Sequence, residues 1–288
     1  MPIDVEKVLG RELEPTTYEW TEKDLILYAL GLGVGVGASP VDPNVLKYTY
    51  ENALEALPTF GVIPTFSCLM GLISLDGVEI NPMMILHGEQ NLEVLCERIP
   101  TKCKATNKAR VSHIYDKGKG ALIIVETETS DEKGKPIFRN EYSTFVRGEG
   151  GFGGDSGPSP GDQAPDREPD ASVECPTLEH QAIIYRLSGD TNPLHIDPQM
   201  AAVAGFDRPI LHGLCTYGNV GRAVIEACCD NDPSRLRGLK ARFAAPVMPG
   251  ETIVTDIWKE SATEVVVKAR VKERSVDVVK NARATIAG

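Results

Sequence analysis

The chain has 288 residues, a formal net charge of −11, and 42% hydrophobic and 25% charged residues. Its length is sufficient for two domains of about 140 residues, each with its own core. The acidic charge argues against non-specific nucleic-acid binding, and no apolar run reaches the roughly 18 residues that a membrane span needs.

Cysteine content and terminal sequences bear on the compartment. The seven cysteines are an odd number and include no C-x-x-C pair, which predicts reduced thiols inside a cell and neither a disulfide framework nor a zinc site. The N-terminal sequence Met1-Pro-Ile-Asp-Val lacks the features of a signal peptide. The last residues, Ala287-Gly288, are not a peroxisomal address of the Ser-Lys-Leu type. We therefore expect an intracellular protein.

In the first half, two helices precede a pair of strands. Thr21 can N-cap a helix over 22–30, and the acidic residues in the first turn of that helix suit its dipole. A second helix is predicted over 44–56. The glycine-rich stretch 31–37 follows a helix and lacks the G-x-G-x-x-G spacing, so it predicts a closely packed loop and no dinucleotide site. Two segments have the composition of strands: 121–129 and 137–147.

A glycine- and proline-rich segment nearly bisects the chain. Residues 148–172 contain seven Gly and four Pro, which is typical of a linker or surface crossing. The segment separates an N-terminal domain, 1–147, from a C-terminal domain, 173–288.

The second half repeats the order of the first. Thr177 can cap a helix over 178–187, and the apolar stripe of 213–229 predicts a buried helix. Three strands are predicted after it: 252–259, 264–272 and 276–286. Helices followed by antiparallel strands in each half indicate an α+β fold.

The two halves also match at a nearly constant offset, which favours an internal duplication. The matching segments are Tyr28-x-Leu30 with Tyr185-x-Leu187, Leu57-Pro-Thr-Phe60 with Leu211-His-Gly-Leu214, and Leu86-His-Gly88 with Arg242-Phe-Ala244. On this overlay Gly33 and Ala38 occupy the positions of Asp190 and His195. The N-terminal copy therefore has no acid–base pair of its own.

The segment richest in chemistry is Tyr185-Arg-Leu-Ser-Gly-Asp-Thr-Asn-Pro-Leu-His195. Its Asn-Pro step prevents a regular helix, so the carboxylate of Asp190 and the imidazole of His195 can converge on one cleft. Such a pair can act as general acid and base on one water or substrate proton. The structural alternative is a helix end at Gly189, an Asx-turn at Asp190 and an exposed histidine.

A second motif, His212-Gly213, opens the predicted buried helix. A backbone N–H at a helix N-terminus points outward with the helix dipole behind it, so it can stabilise a developing oxyanion. The alternative is a glycine that only permits tight packing. His195, Asp197 and His212 could instead form a metal site, enlarged by Asp190. Against that site, Asp197-Pro198 has the pattern of a helix N-cap followed by proline at the first position.

Taken as residue types alone, two further residues have ordinary explanations. Glu51 lies in the predicted helix over 44–56, where an exposed glutamate is the default. Lys117 lies in Asp116-Lys-Gly-Lys-Gly120, which predicts a hairpin turn with a solvated lysine.

The segment from Tyr185 to His195, together with Ala204-Gly-Phe-Asp-Arg-Pro-Ile-Leu-His-Gly213, resembles the signature of the hydratase 2 group of MaoC-like enoyl-CoA hydratases. This group includes the hydratase segment of the peroxisomal multifunctional enzyme of β-oxidation. The similarity covers nearly the whole chain, through Leu86–Gln90, Asp116–Gly120, Gly150–Gly154 and Lys240–Phe243. It implies a double hot-dog fold of two repeats, each an antiparallel sheet around a long helix, with catalysis confined to the second.

The resemblance also implies roles for individual residues. Asp190 and His195 are the implied catalytic pair, Gly213 is the implied oxyanion donor, and Glu51 matches a functionally important position of the N-terminal repeat. The residues implied to bind the CoA ester are His87, Gly88, Lys117, Phe243 and the loop residues Thr191, Asn192, Pro193 and Leu194.

The activity implied by the resemblance is reversible hydration of trans-2-enoyl-CoA to (3R)-3-hydroxyacyl-CoA, without a metal or redox cofactor because the thioester itself accepts the charge. It also implies a homodimer, in the peroxisome if the source is eukaryotic and in the cytoplasm if it is bacterial. Two alternatives stay open: a metal-dependent oxygenase or hydrolase using His195, Asp197 and His212, and a non-catalytic acyl-CoA sensor. An intact acid–base pair argues against the sensor.

Overall fold

In the part of the chain that the structure describes, ten antiparallel strands form one continuous sheet, and the helices pack against it. The computed structural model describes residues 3–81, 84–159 and 161–288. The strands are β1 (Glu12–Trp20), β2 (Ile85–Val94), β3 (Cys103–Asp116), β4 (Gly120–Ser130), β5 (Pro136–Arg147), β6 (Ala171–Pro176), β7 (Leu236–Phe243), β8 (Thr252–Lys259), β9 (Glu264–Val271) and β10 (Val276–Ile286). The α-helices are α1 (Val5–Val8), α2 (Glu22–Gly31), α3 (Pro43–Thr49), α4 (Phe66–Leu69), α5 (Gln181–Tyr185), α6 (Pro198–Val203) and α7 (Gly213–Cys228).

The strand order repeats between the two halves of the sheet. From the outer edge inward, the N-terminal half runs β1-β3-β4-β5-β2 and the C-terminal half runs β6-β8-β9-β10-β7. The two halves meet where β2 pairs antiparallel with β7, for example at Leu92 opposite Leu239. This arrangement of two equivalent five-stranded halves confirms the α+β double hot-dog fold.

The predicted strands are confirmed, but the sequence reading missed five others. The segments 121–129, 137–147, 252–259, 264–272 and 276–286 correspond to β4, β5, β8, β9 and β10. The strands not predicted are β1, β2, β3, β6 and β7. Because β1 precedes α2 and β6 precedes α5, the expectation that each half starts with a helix was wrong.

Two of the four predicted helices have the expected extent. The carboxylate of Asp24 accepts hydrogen bonds from both the N–H and the hydroxyl of Thr21 at 2.8 Å, which fixes the start of α2. The helix predicted over 44–56 ends at Thr49 and is followed by a short 3₁₀ turn. The helix predicted over 178–187 starts only at Gln181, because the Thr177 hydroxyl donates to the Glu251 carbonyl and caps no helix.

The two halves differ in their central helix. In the C-terminal half, α7 is a continuous helix whose Tyr217, Val220 and Val224 are fully buried. In the N-terminal half, the corresponding stretch is broken into a 3₁₀ turn at Pro58–Val62, α4, and a second 3₁₀ turn at Met70–Ser74. The long helix that the resemblance implies for each repeat is therefore present in only one.

Side chains of the sheet satisfy the carbonyl groups that the broken helix leaves free. Asn140 donates to the carbonyl of Gly61 at 3.1 Å, and Tyr142 donates to that of Val62 at 2.9 Å. Asn107 donates to the carbonyl of Pro64 at 2.7 Å. Buried carbonyls without partners would be costly, so these polar side chains stabilise the interruption. Pro64 itself cannot continue the hydrogen-bond ladder of a helix.

The described part of the segment 148–170 contains neither helix nor strand and is tied to the turn between β3 and β4. The Asp116 carboxylate accepts N–H groups of Gly118, Gly151 and Gly153 at 2.7–2.8 Å. These bonds hold the pKa of Asp116 below its usual value. The hairpin turn predicted around Lys117 is present. Within the described ranges, no helix is long and apolar enough to cross a membrane.

Candidate active site

The loop from Asp190 to His195 turns sharply because its residues favour non-helical conformations. Gly189 has φ +134°, which ends the preceding turn. Asn192 then caps a 3₁₀ turn at Pro193–His195 by accepting the N–H of Leu194 at 3.0 Å. The Asp190 carboxylate accepts the N–H of Asn192 at 3.1 Å, so the Asx-turn of the structural alternative is real. The exposed histidine of that alternative is absent, since His195 is buried.

The tautomer of His195 is fixed by the backbone. Its Nδ1 lies 2.8 Å from the carbonyl oxygen of Ile210, so Nδ1–H donates and Nε2 is left with a free lone pair. Burial lowers the pKa of His195 below its ordinary value, although the Ile210 carbonyl and the Asp190 charge act in the opposite direction. The side chain therefore presents a neutral, proton-accepting nitrogen near neutral pH.

His212 lies directly against this pair. Its ring stacks on that of His195, with centroids 3.8 Å apart, and its Nε2–H donates to the backbone carbonyl of Asp190 at 3.1 Å. Burial, followed by repulsion from His195, lowers the pKa of His212 to about 3. One side-chain nitrogen or oxygen atom from each of Asp190, His195 and His212 lies within 4.8 Å of the other two. One small polar cluster is thus assembled from three segments of the chain.

Of the alternative metal site of His195, Asp197 and His212, only the two histidines belong to this cluster. The Asp197 carboxylate caps α6 by accepting the N–H of Gln199 at 2.8 Å, and Pro198 occupies the first helical position. This is the capping pattern that the sequence indicated, so Asp197 is occupied by the helix and does not belong to the cluster. Among the described residues, the carboxylate that joins the two imidazoles is that of Asp190.

Gly213 is the first residue of α7 and is exposed. The N–H groups of Cys215 and Thr216 bind the His212 carbonyl, whereas that of Gly213 has no acceptor among the residues described. A free N–H at the start of a 16-residue helix also has the positive end of the dipole behind it. A negative oxygen that approaches this N–H can therefore be stabilised.

Strands β2 and β7 contribute the next layer of the site. A Cβ at Gly213 would lie 3.5 Å from the ring of Phe243, and the Phe243 ring packs edge-on against His87 at 5.0 Å. His87 is held by donating Nε2–H to the Glu89 carbonyl at 3.1 Å, and burial lowers its pKa to about 4. Gly88 is its neighbour on β2. Residues of both halves thus meet next to Gly213.

Two of the predicted site residues are not joined to this cluster. Glu51 is exposed, and in the described ranges its side chain has no hydrogen bond or ion pair. Lys117 is exposed in the turn between β3 and β4, where its ammonium donates to the Ser156 carbonyl and lies 5.7 Å from the Tyr115 ring. Neither contact leads to Asp190 or His195.

The remaining predicted residues lie on the loop itself. Thr191, Asn192 and Pro193 are exposed and Leu194 is half-buried, so this side of the loop is open to solvent. Sequence reasoning considered His212 only as a metal ligand and missed its contacts with both members of the pair. The available signal was its position: a histidine one residue before the glycine that opens a buried helix.

The chain matches known protein families over most of its length. Residues 18–148 match the model described as the MFE-2 hydratase 2 N-terminal domain, and residues 161–282 match that of the MaoC like domain. A probable enoyl-CoA hydratase 2 from Dictyostelium discoideum is 49% identical over 278 residues, which cover 94% of this chain and 92% of that protein. This chain belongs to the hydratase 2 group of the MaoC-like family.

Solved structures agree with this assignment. A MaoC-like dehydratase from Phytophthora capsici superimposes with a TM-score of 0.87 at 36% identity, covering 99% of this chain and 98% of that one. The full-length peroxisomal multifunctional enzyme type 2 from Drosophila melanogaster gives a TM-score of 0.82 at 38% identity. It covers 96% of this chain but only 48% of the Drosophila protein, so the match concerns one part of that longer enzyme.

Proposed function

We propose that this hydro-lyase adds water reversibly across the C2–C3 double bond of a trans-2-enoyl-CoA and forms the (3R)-3-hydroxyacyl-CoA. The main observation in support is that a carboxylate oxygen of Asp190 and a ring nitrogen of His195 lie within 4.8 Å of each other. One water at about 2.8 Å from each of them can bridge that separation. The name of the Dictyostelium relative, a probable enoyl-CoA hydratase 2, supports the same reaction.

In the forward direction His195 acts as the base. Its Nδ1–H is held by Ile210, so Nε2 removes a proton from the water as the water oxygen bonds to C3. The π electrons of the double bond shift toward the thioester, the imidazolium of His195 passes the proton to the Asp190 carboxylate, and Asp190 delivers it to C2. After this delivery His195 is again neutral and Asp190 is again ionised, as before the reaction. Positioned acid–base groups of this kind contribute about 10²–10⁴-fold in rate.

The thioester oxygen gains negative charge while C2 is unprotonated. The Gly213 N–H, with the dipole of α7 behind it, is the donor that stabilises this oxygen. One such donor contributes about 3–4 kcal/mol to the transition state. Because the thioester carries the charge, the reaction needs neither a metal nor a redox cofactor, and His195, Asp197 and His212 need not act as ligands.

The acyl-CoA is expected to bind along the meeting line of β2 and β7. His87, Gly88 and Phe243 lie there, next to Gly213, and the open side of the loop presents Thr191, Asn192, Pro193 and Leu194. From the family resemblance, Glu51 stays a candidate catalytic residue and Lys117 a candidate for binding the substrate. The CoA phosphates require cations, and the candidates are Lys117, Arg208, Lys240 and Arg242.

The proposal also covers the compartment in which the protein works and its oligomeric state. The names of relatives include a peroxisomal enzyme, which supports a role in β-oxidation or related acyl-CoA metabolism. We place the protein in the peroxisome of a eukaryotic source or the cytoplasm of a bacterial one, as a homodimer. Sedimentation equilibrium of the purified chain tests the dimer.

The direct test is loss of absorbance at the enoyl-thioester band with crotonyl-CoA and with decenoyl-CoA. The purified chain should hydrate at least one of them, and it should do so equally well after treatment with a chelator. Activity that disappears with the chelator and returns with a divalent metal would favour the metal-dependent alternative. Tight binding of the thioester without turnover would favour the acyl-CoA sensor.

A further inference from the structure

His212 is a buried imidazole to which the mechanism above gives no step. It is fully buried, and its ring lies 3.8 Å from that of His195 and 5.0 Å from that of Tyr185. Its Nε2–H donates to the Asp190 carbonyl. It is also the N-cap residue of α7, directly before Gly213. One side chain therefore touches both members of the acid–base pair and adjoins the oxyanion donor.

The surroundings of His212 exclude a role in proton transfer. Its Nε2–H is committed to a backbone carbonyl, and its Nδ1 is buried without a hydrogen-bond partner among the residues described. With a pKa of about 3, the ring stays neutral throughout the range in which an enoyl-CoA hydratase would work. A group that neither gains nor loses a proton can still act through its contacts.

His212 and the acid–base pair are present together in the C-terminal half and absent together from the N-terminal half. On the overlay of Leu57–Phe60 with Leu211–Leu214, Pro58 takes the place of His212 and Thr59 that of Gly213. The same half has Gly33 and Ala38 at the positions of the pair. The half without the acid and base thus also lacks the imidazole and the oxyanion glycine.

We propose that His212 is a positioning residue, whose Nε2–H holds the Asp190 backbone while its ring holds the His195 imidazole face-on. Together these contacts keep carboxylate and imidazole at the separation that one water can bridge. The inference rests on the proposed function for its catalytic meaning, but the geometry that it assigns exists with or without turnover.

Loss of the His212 anchor should also change the titration of His195. The groups that face the two stacked rings are Asp190 on the loop, Arg186 on the preceding turn and Tyr185 on α5. Of these, the Asp190 charge raises the pKa of His195. If the anchor on Asp190 is lost and its carboxylate moves away, the pKa of His195 should fall further.

The test uses three variants of the full chain. His212→Gln keeps an N–H that can reach the Asp190 carbonyl, whereas His212→Phe keeps a stacked ring and loses that donor. His180→Phe is the matched control, because His180 is exposed on the same half and its side chain caps nothing. If His212→Phe fails to fold, His212→Asn replaces it, because its amide is too short to reach the carbonyl.

Turnover of crotonyl-CoA and the NMR titration of His195 are measured for each variant. We expect His212→Phe to lower kcat by about 10–100-fold with KM changed less than about threefold. His212→Gln should lose less, because it keeps the donor but not the ring, and His180→Phe should stay within about fivefold of wild type. The His195 titration should shift to lower pH in His212→Phe and not in His212→Gln.

A wild-type kcat in His212→Phe, or an unchanged titration of His195 in that variant, would refute the positioning role. Failure of the proposed function is distinguishable, because then the wild-type chain itself hydrates no enoyl-CoA. In that case the His195 titration still decides whether His212 positions the pair.

Discussion

Asp190 and His195 can act as a unit because different parts of the backbone hold them. The Ile210 carbonyl fixes the tautomer of His195, and the Asp190 backbone carbonyl is bound by His212. Neither side chain is a major contributor to the hydrophobic core. Substitutions that preserve shape should therefore remove chemistry without removing the fold.

Asp190→Asn and His195→Gln should each lower kcat by at least about 10²-fold, because each removes a group that transfers a proton. The double variant should be little worse than the worse single one. Circular dichroism should show unchanged folding, and His180→Gln serves as a control at an exposed histidine. Either active-site variant retaining more than a tenth of the wild-type rate would eliminate the assigned pair.

The buried histidines should make the protein less stable in mild acid. His212 has a folded pKa of about 3 against an ordinary value of 6.5, so below pH 6.5 the unfolded chain binds a proton that the folded chain excludes. Its contribution to the free energy of unfolding should fall by about 1.4 kcal/mol per pH unit as pH decreases from 6.5 toward 3. Urea unfolding of wild type and His212→Gln across this pH range measures how much of the pH dependence of the free energy of unfolding is due to His212. Identical pH slopes would contradict the lowered pKa.

The start of α7 is the element on which oxyanion stabilisation depends. Gly213 is its first residue, and a proline there would remove the N–H while suiting the geometry of a helix start. His212 has φ −57° and ψ 134°, a conformation that a residue before proline readily adopts. The donor can therefore be deleted with little disturbance of the helix.

Gly213→Pro should lower kcat by about 10²–10³-fold with the protein still folded. Gly213→Ala is the matched control: it keeps the N–H, and its methyl group would make an ordinary contact with Phe243 at 3.5 Å. Steady-state kinetics on crotonyl-CoA compares the two. Comparable activity in both variants would mean that this N–H does not stabilise the oxyanion.

Whether a strand could be predicted from the sequence depended on how hydrophobic its buried residues are. The apolar segments of β4, β8, β9 and β10 stood out because they are rich in Val and Ile. In β3 the buried positions include Ala105, Asn107 and Ala109, so the alternation is between small and charged residues and the hydrophobic signal is weak. In β1, Pro15 argues against a central strand, and β1 is indeed at the sheet edge with a register shift there.

The broken helix and His212 depend on contacts that no local pattern records. Asn107, Asn140 and Tyr142 satisfy the carbonyls of the interrupted helix from strands far away in the chain. The convergence of Asp190 with His195 could be predicted, because an Asn-Pro step has a local consequence. The stacking of His212 on His195 could not, because it requires the fold to bring two separate segments together.

For the chain as a whole, the junction of the two halves is as important as either half. Strand β7 pairs with β2, Gln181 donates to the Gly31 carbonyl at 2.7 Å, and a Cβ at Gly218 would lie 2.5 Å from Leu32. Removing the N-terminal half would turn β7 into an exposed edge strand and uncover apolar surface. The catalytic pair alone is therefore not expected to make a working enzyme.

The fragment 165–288 should retain Asp190 and His195 but lose most activity on decenoyl-CoA, and it should self-associate through its uncovered face. Size-exclusion chromatography and turnover, each compared with the intact chain, measure the two effects. A monomeric fragment that hydrates decenoyl-CoA as fast as the intact chain would show that the N-terminal half is not part of the site.

In the proposed mechanism, one loop delivers the hydroxyl and the proton of a single water to the same face of the double bond. Only four residues separate Asp190 from His195, and their polar atoms lie within 4.8 Å, so oxygen and proton must approach from the same side. Hydration of crotonyl-CoA in D₂O, followed by chiral analysis and NMR coupling constants, tests this most directly. We predict the 3R product with deuterium at C2 added syn to the hydroxyl; anti addition would contradict the one-loop mechanism, and a 3S product would contradict the proposed reaction.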